Sequence, residues 1–187
     1  MPHILKRLWR SAFRTVFNPD WKKRALRSRQ LKEAVTCFEH RTIHRELTPD
    51  ILRTIPDDDL IQAVYDCVET RLPKGHVGLL PADAGLPHGC CSIYYYRTMD
   101  YDVWNGGFEQ FFDTNDQAVI ARTVEAIRFL DLHQMAVVVE DARQQYSTDR
   151  PTSQCEDRYA GLHPTVEPHV VRFIRSNLNQ FSTIPVT

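Results

Sequence analysis

Residues 104–115 read WNGGFEQFFDTN, and the pair Gly106-Gly107, set between a tryptophan and three phenylalanines, decides how the chain folds. A phosphate loop would need its glycines ahead of a helix and a basic residue to meet the anion. Here a helix-like stretch, SIYYYRTMDYDVW at 92–104, comes first, and Glu109 follows where an anion would be repelled. The reading that remains is a corner. Trp104 ends one helix, Asn105 and Gly106 take turn or left-handed conformations, and Gly107 permits close approach before the next helix begins. Phe108, Phe111 and Phe112 then fall at i, i+3 and i+4, which puts their rings on one buried face.

Helical spacing extends outward on both sides of this corner. Val119, Ile120, Thr123, Ala126, Ile127 and Leu130 predict a helix over 116–130, the pattern continues over 135–146, and 170–181 closes the chain as a helix. Upstream, Thr48-Pro49-Asp50 is a cap followed by a first-turn proline, and Asp57, Asp58 and Asp59 open a helix at its positive end. Residues 73–89, rich in Pro and Gly, have no period and read as a loop, and a second loop is expected over 147–168 with one helical turn near Arg158. At the start, 4–17 predicts a cationic amphipathic helix, and a long basic helix is expected over 20–44. No strand-like alternation persists. The expected class is all-α, a compact multi-helix bundle (residues 35–187) with an N-terminal basic amphipathic arm (1–34).

Residues 95–112, YYRTMDYDVWNGGFEQFF, resemble the signature of the all-helical DNA-mimic-protein family, a domain named after one bacterial member that binds DNA-binding proteins in place of DNA. The matching elements are a tyrosine-bearing helix followed by Asn105, Gly106, Gly107, Phe108, Gln110 and Phe111. The likeness runs on through 116–146 and the closing RYAGLHPTVEPHVVRFIRSNLNQF, covering roughly 57–181. It implies a helical, non-enzymatic interaction domain without a cofactor. At the turn between the paired helices, where the family often has a small residue, this chain has Asp131-Leu132-His133.

The 187 residues carry a net charge of −1, which hides an asymmetry. Residues 1–34 hold ten Lys or Arg against Asp20 and Glu33, a balance of +8, and the remainder balances to −9. The longest clean apolar run, MAVVV at 135–139, is far short of the ~20 residues that span a bilayer. Five cysteines without a secretory leader point to free thiols in a reducing cytoplasm, with adjacent Cys90 and Cys91 as ordinary thiols.

Few residues suggest chemistry. Cys37, His40 and His44 share one face of the expected basic helix, with His88 or Cys90 as a conceivable fourth zinc ligand, but Arg41 and Arg45 oppose a dication, and no metal is assigned. No GxSxG elbow frames a serine. The pairs Asp100/Asp102 and Asp113/Asp116 read as caps and solvated acids rather than acid-base catalysts. Tyr94, Tyr95, Tyr96, Tyr101 and Trp104 read as core rather than as a base-stacking platform.

The expected function is therefore capture of a basic protein, a DNA-binding regulator or a cognate toxin, by acids at helix ends and corners: Asp57, Asp58, Asp59, Asp100, Asp102, Asp113 and Asp116. The arm, with Lys6, Arg7, Trp9, Arg10, Arg14, Lys22, Lys23 and Arg24, has three destinations: the acidic body or a second copy in a homodimer, an anionic surface such as that of the inner membrane, or nucleic acid.

Overall fold

The computed structural model describes residues 36, 38–76, 78–81 and 84–183. The arm, its contact residues and Cys37 lie outside them. The regular structure among the described residues is entirely helical, with no strand among them. In chain order the helices are α1 (Pro49–Thr54), α2 (Asp57–Glu69), α3 (His88–Thr114), α4 (Gln117–Phe129), α5 (His133–Ser147), α6 (Ser153–Ser176) and the single turn α7 (Leu178–Phe181).

Local chemistry sets most boundaries. Thr48 caps α1 by accepting from Ile51 N at 3.2 Å, with Pro49 where a missing N–H costs nothing. Asp116 caps α4 through Val119 N at 2.8 Å. α4 and α5 end alike. Leu132 N bonds Ile127 O and Asp131 N bonds Arg128 O, while Arg150 N bonds Gln145 O and Asp149 N bonds Tyr146 O. Asp131 (φ 59°) and Asp149 (φ 54°) occupy the left-handed position of these paired-bond C-caps. Aspartate tolerates that position, so the Asp131-Leu132-His133 turn needs no glycine.

α3 is the axis of the bundle and packs against α2, α4, α5, α6 and α7. Its buried residues include Ile93, Tyr94, Tyr95, Tyr96, Met99, Phe108, Phe111 and Phe112, so the tyrosine run is core, as its spacing implies. Tyr94 stacks on Tyr65 at 5.7 Å, and Tyr95 Oη accepts from Leu80 N at 3.0 Å. The ends of the body are tied together by Thr183 N to Leu47 O at 2.7 Å and Leu47 N to Thr183 Oγ1 at 2.8 Å.

Three expectations are corrected. Residues 147–168 are not a loop, because α6 begins at Ser153 and runs through Pro164 and Pro168. Cys155, Tyr159, His163, Val166, Val170 and Ile174 form a buried stripe along it, and packing of that stripe outweighs the prolines. Both prolines lie exposed on the opposite side together with Ala160, so the carbonyls that lose a helical partner face water. The basic helix does not reach His44: the chain leaves helical geometry by His40, and 41–47 is irregular. There Arg41 is turned into Asp66 of α2 at 2.5 and 2.8 Å, an attachment that a continued helix would forgo. At the corner, the positive φ belongs to Gly107 (φ 81°), whereas Gly106 has φ −145°, and Asn105 is not left-handed.

Candidate protein-interaction surface

The corner is built from both sides. Gly107 turns the backbone so that Phe108 N points at Glu156 of α6, donating to Oε1 at 3.3 Å. Thr152 Oγ1 donates to the same oxygen at 3.0 Å. A β-carbon on Gly107 would overlap that carboxylate, and one on Gly106 would overlap the Gln110 side chain. Gln110 in turn accepts from Asn105 Nδ2 at 3.0 Å. Asn105, both glycines, Phe108 and Gln110 thus form one interlocked unit, with Phe108 and Phe111 fully buried and Phe112 nearly so. Trp104 packs edge-on to Tyr159 at 6.2 Å and His163 at 5.2 Å. Glu156, which seats the corner from 48 residues away, carries no sequence signal because it sits where a loop is expected.

The seven acids separate into three environments. Asp102 is half-buried and accepts from Asn115 Nδ2 at 3.0 Å, Gln110 Nε2 at 3.3 Å and Thr114 Oγ1 at 3.4 Å. Asp113 is exposed and accepts from the Tyr146 hydroxyl of α5. That bond first, and burial second, push the Tyr146 phenol above its usual range. Asp116, at the α4 cap, is exposed one turn further on. These three gather where α3 hands over to α4, and Glu109, absent from the expected set, adds its charge beside Tyr146.

The second environment is the start of α2. Asp57 is held by Arg175 Nη2 at 2.6 Å and Nε at 3.1 Å, while the same guanidinium donates to the carbonyls of Leu52 and Ile55. Asp58 and Asp59 stand exposed beside it. Asp57 is thus tied to α6, whereas Asp102 and Asp113 are tied to α3, its C-cap and α5.

Asp100 is the correction. It is 4% exposed and cannot meet a partner. Its Oδ1 accepts from Tyr159 Oη at 2.7 Å and faces His163 Nε2 at 3.1 Å, and its Oδ2 accepts from Arg97 Nη1 at 3.1 Å. Burial alone would push this carboxyl up. The His163 hydrogen bond and charge, the Arg97 guanidinium and the Tyr159 hydroxyl outweigh burial and hold it at about 2. Burial and then the Asp100 charge push the Tyr159 phenol far up, so it stays a donor. The network continues through Arg97 to Tyr101 Oη at 2.9 Å and Gln62 Oε1 at 3.2 Å, then from Gln62 Nε2 to Asp66 at 2.8 Å. An Asp-His pair can orient a catalytic base, but these two side chains are sealed from water, and the hydroxyl that joins them, Tyr159 Oη, is buried with them. Their work is to lock α6 and α2 onto α3. The helical repeat 155, 159, 163 was the signal that would have found Tyr159 and His163.

Of the conceived zinc ligands, His40 is exposed with Nδ1 2.9 Å from Thr36 O, and His44 lies in the irregular segment. Among the described residues, no group of three or more His, Cys, Asp or Glu is placed to hold a metal, and no helix is long and apolar enough to cross a membrane. Cys67, Cys90 and Cys155 are buried free thiols and Cys91 is a half-buried one. Cys90 Sγ donates to Phe181 O at 3.2 Å, and burial holds its thiol far up.

Fold and surface together define an all-helical body, built on an Asn-Gly-Gly-Phe corner, whose outer acids are fixed at helix ends. The family model described as DMP19-like protein matches residues 84–177, from just before α3 to the C-cap of α6, and the chain belongs to that family. No curated protein and no solved structure matches it.

Proposed function

We propose that the protein is a non-enzymatic binding module that captures a basic DNA-binding protein through the acids at the α3–α4 junction, in the manner of a DNA mimic. The observation that carries this reading is the tethering of Asp102 and Asp113. Each carboxylate is held by side-chain donors of the protein itself, so anionic oxygens stand at fixed positions, as phosphates do on a duplex. A surface ordered before binding loses less side-chain entropy on association than loose surface acids would. The −9 balance of residues 35–187 supplies the longer-range attraction. Asp116 joins this face, Asp57, Asp58 and Asp59 form a second acidic edge, and a DNA-binding regulator or basic toxin is the class of partner it suits.

The test uses the immobilised full chain against heparin-binding proteins of its host, freed of nucleic acid. Capture by the wild-type protein should weaken with salt and be reversed by added duplex DNA. The variant Asp102→Lys/Asp113→Lys should lose capture at least tenfold while keeping its helical circular dichroism. Equal capture by the wild-type and reversed proteins, or indifference to duplex DNA, overturns the reading.

A further inference from the structure

Beside the irregular segment 41–47, a cleft of about 320 Å³ opens along α2, lined among others by Phe38, Ile43, Gln62, Tyr65, Glu69 and Tyr101. Ile43 on its rim is 51% exposed. Asp58, Gln62, Tyr65 and Glu69 recur at helical spacing, so the cleft continues as a stripe toward the acidic start of α2. Phe38 stands at its other end, stacked under Arg41, whose guanidinium carbon lies 3.5 Å from the ring centroid and which is itself clamped on Asp66.

We propose that this cleft receives the chain's own residues 24–35, and that the docked arm competes for the acids that a basic partner would use. The chain reaches the cleft wall at Phe38, two residues after Thr36, so the residues before them start next to the site. At the helical period that the sequence predicts for 20–44, Val35, Ala34, Leu31, Arg27 and Arg24 fall in line with Phe38. Apolar side chains thus come first, opposite Tyr65 and Tyr101, and cations come last. The lengths also agree. The eleven residues from Phe38 to Arg27 would reach roughly 16 Å at the rise of the helix that the sequence predicts, and Asp66 back to Asp58 is eight residues of α2, roughly 12 Å, a difference that an arginine side chain spans. Arg27 and Arg24 then meet Asp58 and Asp59, uniting the +8 arm with the −9 body. The competition rests on the function proposed above, whereas the docking does not.

The experiment places the photo-crosslinking residue p-benzoylphenylalanine at position 31 of the full chain, at low protein concentration and without partner. Irradiation should yield links within one chain to peptides bearing residues 58–69 or Tyr101. Arg24→Asp/Arg27→Asp should lower the yield by up to about thirtyfold, since each of the two exposed pairs is worth up to ~1 kcal/mol, and Asp58→Arg/Asp59→Arg should restore it. Links only between chains would assign the cleft to a second copy. Absence of links, with anionic vesicles binding position 31 instead, would assign the arm to a membrane. Either result, or a yield blind to the charge swap, overturns the docking. In the capture assay, Arg24→Asp/Arg27→Asp should bind the partner more tightly. A normal crosslink with no capture by any variant would sink the binding function and leave the docking standing.

Discussion

Asp100 and Asp102 lie two residues apart on α3 and carry the same charge, yet they belong to different parts of the molecule. Asp100 points inward, where Arg97, Tyr159 and His163 surround it and water does not reach. Asp102 points toward the corner's rim, where three neutral side-chain donors hold it and one side stays open. The inner acid binds elements of the fold to one another, and the outer acid is prepared for something else. A helix turns ~200° in two residues, and that half-turn separates structure from function here.

The comparison breaks most visibly at the inner site. Asp100→Ala leaves a buried guanidinium and two buried donors without their acceptor, at a cost of about 3–5 kcal/mol. Thermal melting should fall by about 10 °C or more. A drop of under 3 °C would mean that the network does not hold α6. The corner that separates the two acids should be nearly as sensitive. Gly107→Val combines a left-handed φ with overlap of the Glu156 carboxylate, and about 2–4 kcal/mol should be lost in denaturant unfolding.

A pH scan sharpens the contrast. The folded Asp100 carboxyl, at about 2, lies below its ordinary 3.8, so its contribution is fully present above pH 4 and is lost as the pH falls toward 2. Its size is on the order of 2 kcal/mol. Unfolding free energy should decline across that window in the wild type, and the decline should be shallower in Asp100→Asn. The smallest effect belongs to the outer site. Tyr146→Phe removes the donor to Asp113 on an exposed surface, and it should leave the denaturant midpoint nearly unchanged while weakening partner capture severalfold. A large loss of stability would mean that the outer acids are structural after all.

Much of the body was legible along the chain. The corner, the rings at 108, 111 and 112, the capped starts at Thr48 and Asp116 and the all-α class follow from short-range spacing, and the Asn-Gly-Gly-Phe run pointed to the family that the match over 84–177 shows. The failures have one kind of cause. The stretch 147–168 read as a loop, and its stripe at 155, 159, 163 and 166 outweighs two prolines only once the bundle buries it. Asp100 looked like a surface acid because two of its three partners, Tyr159 and His163, sit 59 and 63 residues away. Glu156, Tyr146 and Arg175 were invisible as site residues for the same reason.

The sequence by itself determined which segments are helical around the corner, where glycine must stand, and how charge divides between arm and body. These are matters of backbone sterics, periodicity and composition, which neighbouring residues settle among themselves. Only the tertiary structure decided which acid is buried and which is offered outward, and that α6 runs unbroken past its prolines. Those outcomes depend on desolvation and on hydrogen bonds closed between residues far apart in the chain, and such terms have no value until the helices pack.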